Sequence, residues 1–433
     1  MRHLSWTDIL RLGLIQAAIG SVVVLTTSTL NRIMVVELAL PASLSGALVA
    51  LYYLVQLSRP NWGWRSDAGG ARAPWIVGGV AALALGALAA SFGTVLMETR
   101  LGAGIALSVL AYLAIGAGVG AASTSLLALL ATATAPGRRA AAATITWLMM
   151  IGGIALTATA VGRALDPYSP ARLVEIVAIV GAGAVIVAAL AIAGIEGRVD
   201  PAARPEEARE GFFRALARVW AEPRSRLFAI FVFLSMTAYF MQELILEPFA
   251  GHVFGFTPGQ STTLSGLQNG GVFAGMLTVG LAASGLRLGS LRLWTAGGCL
   301  GSALALGAVT AAGLGGPGAP LLPAVFGLGF FNGVFAVSAI GSMMQLAGEG
   351  GAGREGTRMG LWGAAQAIAA GFGGFLGAAA ADAMRFATGA DAAGYGAVFL
   401  AEAALFLVAA RLALRAIAPP PAGALPGGRA DSA

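Results

Sequence analysis

The chain has 433 residues, of which 58% are hydrophobic and only 11% are charged, whereas about a quarter of the residues in an ordinary soluble domain are charged. This composition excludes a water-soluble globular protein, and the net charge of +6 comes with 26 basic residues that are all arginine. One cysteine, Cys299, and two histidines, His3 and His252, exclude a disulfide framework and a Cys/His zinc site within one chain. We therefore expect no metal site of the protein's own, no catalytic residues and no enzyme activity.

Twelve apolar runs follow one another along the chain, each long enough to cross a hydrocarbon core about 30 Å thick as a helix. The first run is followed by eleven others and by no small-residue cleavage pattern, so we expect it to remain as a span. The sequence therefore predicts an all-α membrane protein with twelve transmembrane helices. The runs lie near residues 12–30, 42–58, 75–96, 103–131, 141–162, 174–195, 227–247, 261–285, 291–313, 319–347, 359–381 and 394–414.

The arginines divide unevenly between alternate loops, with 21 on the side of the N-terminus and 5 on the other side. By the positive-inside rule, this places both termini in the cytoplasm. Because topology accounts for the basic excess, we expect a lipid membrane around the chain and no nucleic-acid partner.

The loop between the second and third runs carries Gly63, Asp67, Gly70 and Arg72. Glycine, aspartate, glycine and a basic residue at these spacings resemble the cytoplasmic signature of the major facilitator superfamily. The glycines allow a tight turn, and the aspartate can meet the positive N-terminus of a neighbouring helix. An ordinary charged turn is the alternative. Together with twelve runs, the loop implies the major facilitator superfamily fold with two six-helix halves.

The longest polar stretch separates the sixth and seventh runs. We predict an N-terminal six-helix half over 1–195, a cytoplasmic linker over 196–226, and a C-terminal six-helix half over 227–433 that ends in a short disordered tail. Within the linker, apolar residues at helical spacing over 210–219 suit an amphipathic helix on the membrane surface. A solvated linker is the alternative.

Three strings carry a more specific resemblance. Residues 26–38 read TTSTLNRIMVVEL, residues 57–67 read LSRPNWGWRSD and residues 241–249 read MQELILEPF. They resemble the PucC/LhaA family of phototrophic bacteria, also called the bacteriochlorophyll delivery family, and the similarity extends over nearly the whole chain except the ends and the central loop.

The resemblance implies a photosynthetic complex assembly factor in the bacterial inner (intracytoplasmic photosynthetic) membrane. Its cargo would be bacteriochlorophyll or a chlorophyll-type precursor, bound transiently. Its partners would be light-harvesting antenna subunits and the reaction-centre complex, with pigment-synthesis enzymes as further candidates.

Charged residues at the ends of two apolar runs mark a candidate site. Glu243 and Glu247 are one helical turn apart near the outer end of the seventh run, and an ionised carboxylate at mid-bilayer costs about 2.5–3.5 kcal/mol on insertion scales. Arg32 and Glu37 lie at the matching end of the first run. Since the superfamily places these two spans face to face, we expect Arg32 to compensate Glu243 or Glu247, either as a gate or pigment-handling site or as a fixed ion pair between the halves.

A pigment site with an oxygen ligand is a further hypothesis. The magnesium of a chlorophyll-type pigment takes one axial ligand, which Gln242, Glu243 or Glu247 can supply as an oxygen donor. We expect no histidine within a span to serve, because His252 is expected in the loop after the seventh run, although it could reach a ring edge from there. Asn31 completes the set of candidate residues.

Two other functions remain open at this stage. The shared fold permits a proton-coupled transporter of a small solute, but the fourth run, 103–131, contains no charged residue that would favour transport. A non-transporting scaffold subunit bound to the photosynthetic complex needs no cavity at all.

Overall fold

The computed structural model describes residues 3–56, 58, 71–135, 138–195, 220–285, 288–349 and 355–417. These ranges contain twelve helices: α1 Trp6–Glu37, α2 Ala42–Gln56, α3 Ala73–Met97, α4 Leu101–Ala133, α5 Arg139–Ala164, α6 Pro170–Ile192, α7 Pro223–Phe254, α8 Pro258–Val279, α9 Leu291–Gly315, α10 Leu321–Glu349, α11 Glu355–Thr388 and α12 Asp391–Ala416.

Ten of these helices in the described ranges are long and apolar enough to cross a membrane. Of the other two, α2 has only 15 residues and α8 carries polar residues such as Gln268 and Asn269. The prediction of a multi-pass, all-α membrane protein is confirmed.

Local signals explain where several helices begin. Ser5 and Asp8 form a capping box at the start of α1, and Thr257 and Gln260 form another at the start of α8, so backbone N–H groups that lack a helical partner are satisfied. Proline occupies the first turn of α3, α6, α7 and α8, where its missing N–H costs nothing.

Helices α1 and α7 both run past the limits that hydropathy predicted. α1 continues to Glu37 through two π-helical turns, Leu25–Thr29 and Ile33–Glu37, because residues 33–36 are all apolar. α7 ends at Gly255, whose φ of 69° is a left-handed conformation that glycine adopts without strain. We call the end of the molecule where α1 and α7 finish the distal end; it lies opposite the N-terminus.

The hydrophobic core has two main parts. One is built almost entirely from residues of α1–α6 and the other from residues of α7–α12, with Leu244 and Ile151 as the exceptions. Between the halves, α5 packs on α8 and α2 packs on α11. These pairs leave α1 and α7 to face each other between the halves.

Parts of the predicted organisation lie outside the described residues. These are Gly63, Asp67 and Gly70 of the signature loop and residues 196–219 of the linker; Arg72 is described and directly precedes α3. The domain limits 1–195, 196–226 and 227–433 therefore stay predictions.

Candidate functional site between the two halves

A proline in α7 creates the first contact between α1 and α7. Pro248 lies inside the helix, and since proline has no N–H, the carbonyl four residues earlier loses its helical partner. That carbonyl belongs to Leu244, and the Asn31 side-chain nitrogen donates to it at 2.7 Å. The Asn31 oxygen in turn accepts from the Ser45 hydroxyl at 2.5 Å. Asn31, which is fully buried, thus joins α1, α2 and α7.

The second contact is made by Glu247, a carboxylate that is only 2% exposed. The hydroxyl of Ser28 in α1 donates to one of its oxygens. The other oxygen, Oε2, has no hydrogen-bond partner among the described residues. An isolated buried charge is costly, and Ser28, the positive charge of Arg32 and the nearby Ser265 compensate it.

Arg32 reaches the other half through the main chain. Its guanidinium forms an ion pair with Glu37 and donates from Nη2 to the Phe256 carbonyl at 2.5 Å. The predicted ion pair with Glu243 or Glu247 does not form: within the described residues, the ion pair of Arg32 is with Glu37 of its own helix, although its positive charge still acts on Glu247 through space. The π-helical turn Ile33–Glu37 explains this, because a π turn brings side chains five residues apart close together.

The remaining acidic and amide candidates in α7 lie beside these contacts and not within them. Gln242 is 1% exposed, and its oxygen has no partner among the described residues. Glu243 is half-buried one turn before Glu247. The sequence grouped them correctly on one helix, but the structure does not join either of them to Arg32.

Asp382 of α11 closes a further contact between the halves. Its two oxygens accept from the backbone N–H groups of Ala42 and Ser43, at 3.0 and 2.8 Å, and so cap the start of α2. Sequence reasoning gave Asp382 no role. A signal was present, since Pro41 precedes α2 and cannot cap it with a side chain, so that a cap must come from elsewhere.

Two more side-chain pairs cross between the halves at the distal end. The Thr257 hydroxyl donates to Asp166 at 2.8 Å, and the hydroxyls of Thr29 and Thr262 lie 3.3 Å apart. We call the set of contacts made by Ser28, Asn31, Arg32, Asp166 and Asp382 with the opposite half the distal clamp. It holds α1 to α7, α2 to α11 and α5 to α8.

Tyr168, in the connection between α5 and α6, lies near the outer edge of the clamp. Burial raises the pKa of Tyr168 to about 12, and the carboxylates of Glu98 and Glu37 act in the same direction. Its hydroxyl therefore stays protonated over the physiological range and remains a neutral neighbour of Glu37.

A cavity of about 400 Å³ lies beside the clamp at the distal end. Val35, Leu40 and Pro41 line its apolar side, and Ala39 in its wall has a φ of 49°, which is strained for a residue with a side chain. Ala39 belongs to the connection between α1 and α2. Its strained backbone conformation is therefore held in place by the surrounding structure.

The polar side of the cavity carries His252, Asp382 and Arg385. Arg385 donates to Asp391 at 2.5 Å and lies over the Tyr395 ring, 5.2 Å from its centre. His252 Nδ1 is 3.0 Å from the Tyr395 hydroxyl oxygen. The prediction that His252 lies in a loop is wrong, because α7 extends to Phe254 and His252 occupies its last turn.

No group of three or more His, Cys, Asp or Glu residues in the described ranges is placed to hold a metal ion. A further carboxylate, Glu402 of α12, is fully buried, and neither of its oxygens has a partner among the described residues.

Comparison with known proteins gives both a family and a fold. The family model described as "PUCC protein" matches residues 29–419. The "Bacteriochlorophyll synthase 44.5 kDa chain" of Rhodobacter capsulatus is 64% identical over 96% of each chain. "Protein PucC" of the same organism is 30% identical over 94% of this chain and 91% of its own.

Solved structures share the fold at low sequence identity. A bacterial homologue of the human lysosomal transporter Spinster, in an inward-facing and unoccupied conformation, superposes with a TM-score of 0.66 at 16% identity and covers 95% of this chain and 96% of its own. The occupied inward-facing form of that homologue gives the same TM-score and covers 95% of each chain. The predicted fold, with twelve helices arranged as in a major facilitator transporter, is confirmed.

Proposed function

Since the chain belongs to the PUCC protein family, we propose that it is a photosynthetic complex assembly factor, which delivers bacteriochlorophyll or a chlorophyll-type precursor. The receivers are light-harvesting antenna subunits and the reaction-centre complex, and pigment-synthesis enzymes are further candidate partners. The observation that carries the proposal is the relative that is 64% identical along 96% of each chain and is named for bacteriochlorophyll.

The structure supports this proposal through the strings that resemble the family. Asn31 and Arg32 come from one string and Glu247 and Pro248 from another, and the distal clamp brings them together across the two halves. Two of the three family strings therefore contribute to the joint between the halves and to the helices that line the cavity beside it, whereas the third, 57–67, lies outside the described residues except for Ser58. A carrier needs such a joint to hold and release cargo.

We place the protein in the bacterial inner (intracytoplasmic photosynthetic) membrane with both termini in the cytoplasm. The supporting observation is the division of arginines, 21 on the side of the termini and 5 on the other. On this assignment the distal end, with the clamp and the cavity, faces the periplasm.

The chain handles pigment without making it. The name of the 64% identical relative includes the word synthase, whereas the fold is that of transporters. An assay of the purified protein with pigment precursors checks this point, and formation of a new pigment product would contradict it.

Deletion of the gene in a phototrophic host, followed by complementation, tests the assembly function. We expect the deletion strain to lose absorption bands of assembled antenna or reaction-centre complexes while extractable pigment persists, and the wild-type gene to restore the bands. Full assembly in the deletion strain, with loss of uptake of a small solute, would instead establish the transporter alternative. If the chain is found as a stable subunit of the photosynthetic complex and binds no pigment when isolated, the alternative of a non-transporting scaffold subunit is established.

A further inference from the structure

We propose that His252 is the axial ligand through which the distal cavity holds the magnesium of a chlorophyll-type pigment. The inference rests on the proposed function and replaces the oxygen ligands that the sequence suggested. It gives the cargo a defined place beside the distal clamp.

Two of the three oxygen candidates are poorly placed to receive a pigment, and the third, Glu243, is half-buried but does not line the distal cavity. Glu247 and Gln242 are 2% and 1% exposed, and Glu247 is already engaged with Ser28 inside the clamp. A macrocycle cannot reach the Glu247 oxygen that Ser28 holds without breaking this contact between α1 and α7.

The imidazole of His252 is held from one side. Its Nδ1 lies 3.0 Å from the hydroxyl oxygen of Tyr395, and the two rings are stacked with their centres 6.0 Å apart. When Nδ1–H donates to this oxygen, the other nitrogen, Nε2, keeps a free lone pair. Histidines that bind metals are commonly fixed in this way by a hydrogen bond from the second ring nitrogen.

His252 borders the cavity, whereas the residue that holds its Nδ1 does not. Tyr395 is fully buried, and His252 is half-buried and lines the cavity, so we infer that Nε2 is the nitrogen that a ligand in the cavity can reach. Within the described residues, Nε2 has no hydrogen-bond partner.

The other polar groups of the cavity are occupied or unsuited to bind magnesium. Both oxygens of Asp382 accept backbone N–H groups of α2. Arg385 is a cation held by Asp391 and has no lone pair to offer. Ser43 contributes a hydroxyl, which is a weaker donor to a metal than imidazole. His252 is therefore the strongest available ligand in the cavity.

The cavity offers apolar as well as polar groups to one face of a macrocycle. Val35, Leu40 and Pro41 are its apolar lining, and the volume of about 400 Å³ is in the range of small-molecule sites. Because the magnesium lies at the centre of the macrocycle, the proposed contact is one face of the ring over His252, with the hydrocarbon tail outside the cavity.

The test compares two pigments with the purified full-length protein in detergent. The probes are bacteriochlorophyll a, which contains magnesium, and bacteriopheophytin a, which lacks it. We expect His252→Ala to weaken binding of bacteriochlorophyll a about tenfold or more and to abolish the resonance Raman signature of a nitrogen ligand, and added imidazole to restore both. Binding of bacteriopheophytin a should not change, which also shows that the variant is folded.

Two further variants sharpen the comparison. Tyr395→Phe keeps the ring but removes the hydroxyl that orients His252, so we expect a weaker effect of the same kind. Thr278→Ala changes a hydroxyl that bonds only within α8 and serves as the matched control.

The outcomes separate this inference from the proposed function. If the wild-type protein binds bacteriochlorophyll a and His252→Ala binds it equally well with the same Raman bands, the ligand assignment is wrong and pigment delivery stands. If the wild-type protein binds neither pigment, delivery itself is overturned and the ligand assignment falls with it.

Discussion

Ser28 and Glu247 join the two halves of the protein, since the Ser28 hydroxyl donates to the Glu247 carboxylate and both residues are buried. Ser28→Ala leaves the carboxylate without this partner, and we expect the free energy of unfolding to fall by about 1–3 kcal/mol. Thermal unfolding in detergent measures the change. In Glu247→Gln, which removes the charge, the same serine substitution should cost clearly less. An equal cost in both backgrounds would show that the serine does not compensate the carboxylate.

Pro248→Ala should weaken the contact between Asn31 and α7. The substitution supplies an N–H for the Leu244 carbonyl within the helix, and this donor then competes with the Asn31 side chain. We expect Asn31→Ala to destabilise the wild-type protein by about 1–3 kcal/mol and the Pro248→Ala protein by about 1 kcal/mol less. Additive effects in the double-mutant cycle would contradict the role assigned to the proline.

Arg32 should couple energetically to Glu37 and not to Glu243. Double-mutant cycles that combine Arg32→Ala with Glu37→Gln or with Glu243→Gln separate the two partners. Because Glu37 is partly exposed, with 36% of its side chain accessible, we expect a coupling on the order of 1 kcal/mol with Glu37 and additivity with Glu243. Coupling to Glu243 alone would restore the ion pair predicted from the sequence.

Asp382→Asn keeps one oxygen for the start of α2 but loses the charge and the second acceptor. We expect a loss of about 0.5–2 kcal/mol, as for removal of a helix N-cap. Asp391 is the matched control, since it lies at the same end and its ion pair with Arg385 is partly exposed, with 40% of the Asp391 side chain accessible. Asp391→Asn should change the melting temperature little. Equal effects of the two substitutions would argue against a capping role for Asp382.

Single-cysteine labelling tests the orientation. The natural cysteine, Cys299, is fully buried, so it contributes little background. We expect Arg209→Cys to react with a membrane-impermeant thiol reagent only after the membrane is permeabilised, because this topology places residue 209 in the cytoplasm. Thr99→Cys, exposed in the connection between α3 and α4 at the distal end, should react in intact cells. The reverse pattern would invert the topology.

The helix count followed directly from the sequence because each span needs its own apolar run, and hydropathy reads such runs well. The ends of α1 and α7 did not follow. Arg32 and Glu37 looked like the start of a loop, yet the apolar residues between them continue the helix through a π turn. A search for a period of 3.6 residues cannot anticipate that turn, and it therefore cannot anticipate that these two residues meet.

The site was predictable in its residues but not in its contacts. Arg32 and Glu247 were singled out because charged groups in a membrane span need partners, and Asn31 because it belongs to a string that resembles the family; all three take part in the clamp contacts. The contacts were missed for physical reasons. The acceptor of Asn31 is a main-chain carbonyl that Pro248 leaves without a helical partner, and a main-chain group cannot be recognised from residue types. Asp382 caps α2 from a position 340 residues away in the chain. The end of α7 could not be placed from hydropathy, because it is set by the left-handed conformation of Gly255. This is why His252 was expected in a loop and lies in the helix.

Two of the links that hold the halves together end on main-chain carbonyls, those of Leu244 and Phe256. Every amino acid carries a carbonyl, so no exchange of the side chain at either position deletes the acceptor. A genetic screen for loosened variants should therefore recover changes at Asn31 and Arg32 without reciprocal changes at the residues they touch. For the same reason, these hydrogen bonds place no demand on the side chains at Leu244 and Phe256, and paired substitutions between related chains would not reveal the contacts.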